Sequence, residues 1–363
     1  MKPGPLTMVR AVAGATALAR LAGAARTRRP VTCRLGRDTS PPSISVVVPA
    51  RDEAARIGPL LERVVGAPGV AEVVVVDDES TDETASVAAR AGAHVVSGRP
   101  VPPGWVGKTW AMQQGLEAAR GEWIVTLDAD TRPDPALPVS VVARAVADGT
   151  ELLTVAGRFE CPTSGSQWLH PAMLTTLVYR FGPPGRAVPP RPDRMMANGQ
   201  CMAFRRTGLL AIGGFEPVAG EVVEDVALAR LLAGQGWRVD FLDAADLLTV
   251  RMFESLAETW SGWGRSIALP GVEPRWRQVT EAGVLALALP LPLLRAIGGR
   301  ADAIDLVLLA ARAGTLAGTR RAYAGARAVY WLSPLADPVA VAALLRGALR
   351  GRQTWRGRTY VLR

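Results

Sequence analysis

Short apolar runs rich in β-branched residues alternate with helix-like patterns along the middle of the chain. Strand patterns cover 44–48, 73–76, 93–96, 122–127 and 152–156, and helix patterns cover 53–65, 80–91 and 108–120. Such alternation with short connections predicts a mostly parallel sheet flanked by helices, that is, an α/β fold. Sheets of this kind bind ligands at the carboxyl ends of their strands, so we expect the functional residues in the loops that follow the strands.

Beyond residue 157 the regular alternation ends. A Pro- and Gly-rich loop covers 182–192, and an apolar pattern surrounds Asn198, Gly199 and Gln200. A helix is predicted over 222–233, a last strand over 239–242 and an amphipathic helix over 255–269. These elements extend the α/β domain to about residue 270.

The C-terminal part carries three apolar stretches, 282–294, 303–319 and 328–345, each interrupted by prolines or charged residues. None provides the roughly 18 uncharged residues that a spanning helix needs. They predict weakly hydrophobic helices that lie on a bilayer or partly enter it, or alternatively helices packed on a soluble domain. The predicted organisation is a basic, apolar N-terminal segment at 1–40, the α/β domain at 41–270 and a helical membrane-associated region at 271–363.

The net charge of +9 is unevenly distributed. Residues 1–40 hold eight Lys and Arg against one acid, and residues 283–363 hold twelve Arg against three acids, which leaves the middle at −7. A nucleic-acid binder usually carries its basic charge on the folded domain, so no nucleic-acid partner is expected. Basic flanks mixed with apolar residues fit the anionic face of a membrane. A high-GC genome would explain the arginines but not the acidic middle.

Cysteine and histidine are too few and too scattered for a zinc site. Cys33, Cys161 and Cys201 lie far apart, and the only histidines are His94 and His170. Zinc sites need several such ligands at short spacing. The expected setting is reduced and cytosolic, and no convincing signal-cleavage site follows the N-terminal basic stretch.

The strongest chemical signal is the pair Asp128 and Asp130, which follows the apolar run over 123–127. Side chains two residues apart on an extended backbone point to one side. Two carboxylates on one side can share a hard divalent cation with the oxygens of a bound phosphate. The pair therefore predicts Mg²⁺ or Mn²⁺ and a nucleotide-diphosphate substrate, unless the aspartates only cap the helix after Pro133.

Two further loops carry polar residues directly after predicted elements. Asp77 and Asp78 follow four valines and can accept hydrogen bonds from a uracil-type ring or from ribose, although turn formation explains them equally well. Gly107-Lys-Thr109 looks like the end of a Walker A loop, but Pro102 stands where that loop requires glycine. Lys108 at a helix start remains a candidate for contact with a diphosphate.

Two groups nearer the C-terminus contain further candidate residues. Glu224 and Asp225 open a predicted helix, where a carboxylate either favours the helix N-terminus or acts as a general base. Trp263 and Arg265 lie on the predicted amphipathic helix, where they suit a membrane interface, a diphosphate clamp or packing against the domain.

Five motifs occur together in one order, which is more specific than any one of them. They are Ser45-Val-Val-Val-Pro-Ala-Arg-Asp-Glu53, Val76-Asp-Asp-Glu-Ser-Thr-Asp82, Gly107-Lys-Thr-Trp-Ala111, Leu127-Asp-Ala-Asp130 and Val223-Glu-Asp225. In this set the chain resembles family 2 glycosyltransferases with the GT-A fold over about 44–270. Pro103-Gly-Trp105, Arg251-Met-Phe253 and Gly357-Arg-Thr-Tyr360 are similar to the membrane-associated branch linked to hopanoid and carotenoid glycosylation.

The resemblance implies roles for the candidate residues. It places Pro49, Arg51, Glu53, Asp77, Asp78, Lys108 and Asp128 at the nucleotide sugar, Asp130 at the metal, Asp225 as catalytic base, and Asn198, Gly199, Gln200, Glu224, Trp263 and Arg265 on the acceptor side. The chain lacks the Gln-x-x-Arg-Trp string of processive members, so a single transfer is expected.

The implied reaction is an inverting, metal-dependent sugar transfer from a nucleotide-diphosphate donor, with UDP favoured, to a lipid or polyprenoid hydroxyl or carboxyl group. The expected location is the cytoplasmic face of the cell membrane, with peripheral or weakly integral attachment. Two alternatives stay open. A sugar nucleotidyltransferase would release pyrophosphate, and it would need a Gly-rich loop that Pro49-Ala-Arg-Asp52 does not provide. An inactive membrane-bound scaffold would not use the acids at all.

Overall fold

The computed structural model describes residues 4–23, 27, 30–33, 42–355 and 358–361 of the chain. The chain forms two compact units. The sheet unit comprises Arg28–Arg158 and Ala187–Arg251, and the helical unit comprises Met1–Thr27, Phe159–Arg186 and Met252–Arg363. The candidate donor, metal and base residues all belong to the sheet unit, whereas Trp263 and Arg265 belong to the helical unit.

Strands and helices occur throughout both units. The strands are β1 (Ile44–Ala50), β2 (Val70–Asp77), β3 (His94–Ser97), β4 (Trp123–Leu127), β5 (Thr131–Pro133), β6 (Leu152–Ala156), β7 (Arg158–Glu160), β8 (Cys201–Arg205), β9 (Val239–Asp243), β10 (Leu248–Arg251), β11 (Tyr323–Ala324), β12 (Arg352–Trp355) and β13 (Arg358–Val361). The helices are α1 (Pro5–Ala22), α2 (Ala54–Val64), α3 (Thr84–Arg90), α4 (Gly107–Ala118), α5 (Leu137–Asp148), α6 (Ser164–Phe181), α7 (Arg206–Ala211), α8 (Glu224–Gly234), α9 (Leu256–Ser266), α10 (Arg275–Ala288), α11 (Pro290–Ile297), α12 (Ala303–Thr319) and α13 (Asp337–Leu349). Short 3-10 turns cover Pro192–Arg194, Glu216–Val218, Arg320–Ala322 and Ala328–Ala336.

The sheet unit is built on a seven-stranded sheet in the order β3-β2-β1-β4-β8-β6-β9. Neighbouring strands run parallel except at β8, which is antiparallel to both β4 and β6. Strands β1 and β4 are almost wholly buried, as expected of central strands covered on both faces. The predicted α/β fold with a mostly parallel sheet flanked by helices is confirmed.

The strand register brings three functional loops to one edge of the sheet. Ala50 at the end of β1 lies opposite Asp77 at the end of β2, and Val47 of β1 lies opposite Thr126 of β4. Because these strands are parallel, the chain leaves all three at the same side. The loops that begin at residues 51, 78 and 128 therefore meet at the carboxyl edge.

Helix α4 packs closely on β1 because Gly115 has no side chain. A Cβ atom at position 115 would lie 2.3 Å from Cγ1 of Val47. This close approach fixes the helix over the sheet and holds its first turn, which carries Lys108, near the carboxyl edge of the strands.

Replacing Gly115 with alanine is therefore expected to destabilise the protein by about 1–3 kcal/mol, the usual cost of overpacking a core. Gly234→Ala is the matched control, because no atom lies within 4 Å of a Cβ at that helical position. The control should leave stability unchanged or raise it by up to about 1 kcal/mol. The measurement is the thermal unfolding midpoint by circular dichroism, and equal midpoints for the two variants would contradict the close packing.

The predicted start of one helix is wrong. The helix predicted over 80–91 begins at Thr84, and the side chain of its N-cap residue Glu83 makes no capping bond. The Ser80 hydroxyl accepts a hydrogen bond from the backbone N–H of Asp52 at 3.0 Å, and an Asp82 carboxylate oxygen accepts one from the N–H of Thr84 at 2.9 Å. The acid-rich segment therefore stays a loop, because its side chains bond to backbone groups of the neighbouring loop and of the first residue of α3.

The helical unit packs α1, α6 and α9–α13 around an apolar core that includes Leu169, Tyr179, Leu285 and Leu344. The charged residues that interrupt its apolar helices pair with one another. These pairs are Arg10 with Asp302 and Asp305, Arg20 with Glu281, and Arg312 with Asp337. Buried charges need such partners, so the interruptions seen in the sequence are compatible with packed helices.

Two stretches of the helical unit, Arg275–Ile297 and Ala328–Leu349, are long and apolar enough to cross a membrane by length and composition alone. The first divides into α10 and α11 at Leu289, and the second combines a 3-10 turn with α13. The segments 1–40, 41–270 and 271–363 stay a prediction. Residues 1–3, 24–26, 28–29, 34–41 and 356–357, which include parts of the N-terminal segment and the start of the terminal Gly-Arg-Thr-Tyr motif, lie outside the described residues.

Candidate active site

Side-chain hydrogen bonds connect the loop after β1 to the loop after β2. Asp52 has a left-handed backbone with a φ of 53°. Its Oδ1 accepts hydrogen bonds from the N–H of Thr81 at 2.7 Å and from the Thr81 hydroxyl at 3.1 Å, and these bonds lower the pKa of Asp52. The N–H of Glu53 donates to the Thr84 hydroxyl at 2.8 Å. Asp52 and Thr81 were not among the predicted site residues, although both belong to the quoted motifs.

Arg51 lies in this double loop beside Asp78. Its Nη1 donates to the backbone carbonyl of Asp78 at 2.8 Å and lies 3.9 Å from the Asp78 carboxylate. The adjacent Asp77 has its Oδ1 buried without a hydrogen-bond partner among the described residues. Pro49 lies in β1 opposite Val76. These residues form a polar pocket wall in which a buried acceptor is ready for a ligand N–H or O–H.

Asp128 and Asp130 follow β4 in a turn, so the expected extended backbone is wrong here. The N–H and the hydroxyl of Thr131 both donate to the carbonyl of Asp128, at 3.0 and 2.7 Å, and close the turn. Burial, with the neighbouring carboxylates of Asp128 and Glu53, raises the pKa of Asp130 to about 7. Its Oδ1 is buried without a hydrogen-bond partner in the described part of the chain.

Lys108 joins two carboxylates that come from distant parts of the sequence. Its Nζ lies 2.9 Å from Oδ1 of Asp128 and 2.9 Å from Oε1 of Glu224. Burial disfavours the ammonium charge, but Asp128, Glu224 and Asp225 outweigh that effect and raise the pKa of Lys108 well above its ordinary value. The lysine is therefore a fixed positive charge between the end of β4 and the start of α8.

Asp225 is held by backbone groups in the first turn of α8. One carboxylate oxygen accepts the N–H of Gly199 at 2.7 Å, and the other accepts the N–H of Val226 at 2.8 Å. Burial and the adjacent charge of Glu224 raise the pKa of Asp225 to about 7. A carboxylate with this pKa is suited to take a proton near neutral pH.

The segment Asn198–Gln200 connects the two groups of acids. The Asn198 amide donates to Gln200 Oε1 at 2.9 Å, and the carbonyl of Gln200 accepts the N–H of Asp128 at 3.3 Å. With the bond from Gly199 to Asp225, this segment touches both the residue after β4 and the predicted base. The predicted acceptor-side residues 198–200 and Glu224 are thus brought together with Asp128, Lys108 and Asp225.

The predicted pair Trp263 and Arg265 lies on α9 of the helical unit. The Trp263 ring packs edge-to-face against His170, with ring centroids 4.9 Å apart. Packing within the helical unit accounts for Trp263, and its acceptor-side role stays a prediction, as does that of Arg265.

The acids of the sheet unit fit a divalent cation that takes part of its coordination from a ligand. No group of three or more His, Cys, Asp or Glu side chains able to hold a metal by itself occurs among the described residues. Asp130, however, presents a buried carboxylate oxygen without a partner in that part of the chain. Mg²⁺ typically binds through one or two carboxylates together with water and substrate phosphate oxygens.

Comparisons with known proteins point to a glycosyltransferase family. Residues 45–213 match the model of Glycosyl transferase family 2. The 4,4'-diaponeurosporenoate glycosyltransferase of Staphylococcus aureus (strain bovine RF122 / ET3-1) is 42% identical over 89 residues, which are 24% of this chain and 24% of that protein. The chain thus matches about a quarter of the length of this relative.

One solved structure shows the same fold over most of the chain. A mannosyltransferase from Pyrobaculum calidifontis, solved with GDP-Man and Mn²⁺, aligns over 94% of this chain and 99% of that chain, with a TM-score of 0.57 and 18% identity. Glucosyl-3-phosphoglycerate synthase from Mycobacterium tuberculosis, solved with Mn²⁺, UDP and glucosyl-3-phosphoglycerate, aligns over 63% of this chain and 78% of that chain, with a TM-score of 0.44 and 24% identity.

Proposed function

We propose, from the premise that residues 45–213 form a Glycosyl transferase family 2 domain, that the protein transfers a sugar from a nucleotide-diphosphate donor to a lipid. The observation that carries this proposal is the cluster around Lys108. It combines Asp128, which adjoins the predicted metal ligand, with Glu224 and the predicted base. Donor and acceptor chemistry would thus meet at one edge of the sheet.

The donor would bind across the two hydrogen-bonded loops after β1 and β2. The buried Oδ1 of Asp77 is an acceptor for a ring N–H or a ribose hydroxyl, which favours a uridine nucleotide. Asp78, Glu53 and Pro49 line the same side, and the position of Arg51 beside Asp78 keeps this wall in place. The nucleoside would therefore lie over the ends of β1 and β2, with its diphosphate directed toward the end of β4.

Asp130 would hold a Mg²⁺ or Mn²⁺ ion, with Asp128 close to the donor. When bound, such an ion neutralises the charge that develops on the leaving nucleoside diphosphate. The protein's own part is to keep the Asp130 carboxylate dry and fixed in the turn after β4, where Thr131 holds the backbone of Asp128.

Asp225 would act as the base for a hydroxyl acceptor. Its carboxylate takes the proton as the hydroxyl oxygen forms a bond to the anomeric carbon, and the bond from that carbon to the diphosphate oxygen breaks on the opposite face. One such displacement inverts the configuration of the anomeric carbon. The segment Asn198–Gln200, with its bond to Asp225, would line the acceptor side.

The acceptor would reach the enzyme from a membrane. Of the eighteen exposed large apolar side chains in the described residues, sixteen lie in the helical unit. Within 270–352 the acids are buried, except for half-buried Asp302, which is paired with Arg10. Arginines stay exposed there, namely Arg275, Arg300, Arg321, Arg327, Arg346 and Arg352. An apolar and cationic surface suits anionic lipids, so attachment to the cytoplasmic face of the cell membrane, peripheral or weakly integral, is part of the proposal.

The similarity to the Staphylococcus aureus protein supports an apolar acceptor, because that protein is named as a glycosyltransferase of diaponeurosporenoate.

The test is to incubate the purified full chain with a panel of nucleotide sugars, Mn²⁺ and total membrane lipid, and to analyse the products by mass spectrometry. Glycosylated lipid with release of a nucleoside diphosphate is expected. Release of pyrophosphate would indicate a nucleotidyltransferase, and the absence of any turnover would support the scaffold alternative.

The rate is expected to rise with pH through about 7 and to level off above it. Burial and Glu224 raise the pKa of Asp225 to about 7, so below that pH the base is protonated and inactive.

Glu224→Gln removes the adjacent negative charge, lowers the pKa of Asp225 and should move the acidic limb of the pH profile to lower pH. The measurement is kcat/KM for a hydroxyl acceptor between about pH 5 and 9. Asp246→Asn, at an exposed aspartate paired with Arg158, is the control, and a limb that stays in place in Glu224→Gln would contradict the assignment.

A further inference from the structure

Lysine is rare in this chain, and one of the two lysines is Lys108. The sequence contains forty arginines but only Lys2 and Lys108. This chain uses arginine at nearly every basic position, yet it has a lysine among the acids Asp128, Glu224 and Asp225. The two side chains differ in shape, since an ammonium is a compact point charge and a guanidinium is a broad planar fork.

The ammonium group has two carboxylate partners at equal distance. Nζ lies 2.9 Å from Asp128 and 2.9 Å from Glu224, and only 19% of the lysine side chain is exposed. Asp128 comes from the donor side of the cluster, and Glu224 precedes the predicted base. A single nitrogen with three donors can serve both carboxylates from different directions.

The backbone of Gly199 lies close beside the ammonium group. A Cβ atom on Gly199 would lie 3.3 Å from Nζ of Lys108 and 3.3 Å from Cβ of Asp225. The backbone of Gly199 is also bonded to Asp225 at 2.7 Å. A broader guanidinium at position 108 would press on this segment, and the same segment makes the bond that holds Asp225.

We propose that Lys108 is a positioning residue whose ammonium joins Asp128 on the donor side to Glu224 on the acceptor side and so keeps Asp225 in place for proton transfer. This inference rests on the proposed function and gives Lys108 a role other than binding the diphosphate. Its effect should appear in turnover and not in the affinity for the nucleotide. The effect should also depend on Glu224, because the two residues act as one pair.

The first experiment is a double-mutant cycle with Lys108→Met and Glu224→Gln, assayed above the acidic limb of the pH profile. If each single variant lowers kcat about 100-fold, the double variant should also lose about 100-fold, and not the roughly 10⁴-fold of independent sites. The Kd of UDP with Mn²⁺, measured by calorimetry, should change by less than about threefold in Lys108→Met. Arg63→Met, at an exposed cation on α2, is the matched control and should behave as wild type.

The second experiment tests the shape of the cation. Lys108→Arg keeps the charge but should stay as inactive as Lys108→Met, since a guanidinium would press on the backbone of Gly199. In a Cys33→Ser background, which removes the exposed cysteine, Lys108→Cys can be alkylated with 2-bromoethylamine. The thiolate displaces bromide and forms a thioether that ends in an ammonium of lysine length. This treatment should restore most of kcat.

The outcomes separate this role from its alternatives. Additive losses in the cycle, a Kd for UDP weakened more than threefold, or full activity of Lys108→Arg would each overturn the positioning role while leaving the proposed function intact. No transfer by the wild type with any donor would overturn both. Thermal unfolding midpoints of all variants show whether a loss comes from misfolding, and failure of the alkylated Cys variant to recover despite a normal midpoint would also count against the proposal.

Discussion

Asp225→Asn is expected to lower transfer to a hydroxyl acceptor by about 10²–10⁴-fold, the usual contribution of a general base. Asparagine has nearly the same shape and can still accept the N–H of Gly199, which bonds to Asp225 at 2.7 Å. It cannot take up the acceptor proton. Asp225 bonds to the backbone N–H groups of Gly199 and Val226, so the binding of UDP with Mn²⁺ should stay close to that of the wild type in this variant.

The measurement is single-turnover transfer together with calorimetric titration of UDP in the presence of Mn²⁺. Asp246→Asn provides a matched control at an exposed aspartate of the same unit. Turnover equal to wild type in Asp225→Asn would rule out its role as the base for a hydroxyl. The same variant also separates the two acceptor classes, since a carboxyl acceptor is already ionised at neutral pH and needs no base.

Asp130→Asn is expected to weaken the Mn²⁺-dependent binding of UDP by about 100-fold or more and to abolish transfer. The buried Oδ1 of Asp130 has no hydrogen-bond partner among the described residues, which leaves it available to a cation. An amide is a much poorer ligand for such a hard cation than a carboxylate. Titration of UDP with and without Mn²⁺ measures the effect directly.

The thermal unfolding midpoint of Asp130→Asn serves as an internal control for this prediction. Burial and neighbouring acids raise the pKa of Asp130 to about 7, so its charge destabilises the folded protein once the pH exceeds the ordinary carboxyl value. Neutral asparagine should therefore keep or raise the unfolding midpoint in the absence of metal. Unchanged Mn²⁺-dependent binding of UDP in a folded Asp130→Asn variant would refute the role of Asp130 as metal ligand.

The parallel half of the sheet could be predicted from the sequence because its physical signal is local. Buried parallel strands read as continuous β-branched runs, and the predicted strands at 44–48, 73–76, 93–96 and 122–127 correspond to β1–β4. The site residues follow from the same logic, since acids directly after such strands must lie at one edge. The alternation of elements therefore located Asp77, Asp78, Asp128 and Asp130, but not Glu224 and Asp225 at the start of α8.

Other features could not be predicted because they depend on distant contacts. Strand β8 runs antiparallel between β4 and β6, and nothing in its own sequence specifies that direction. Helix α6 is buried on nearly all sides and contains Pro171, so it lacks the amphipathic period that marks a surface helix. Lys108 and Glu224 are 116 positions apart, and only the fold shows that they share an ion pair.

The exposed apolar side chains of the helical unit have a consequence for how the reaction rate should be measured. If these side chains hold the enzyme on a bilayer, it meets its acceptor by diffusion in two dimensions. Turnover would then follow the mole fraction of acceptor in the vesicle surface and not its amount per volume of solution. Adding inert lipid at constant total acceptor would slow the reaction by surface dilution, and a Michaelis constant for the acceptor would have meaning only as a surface density.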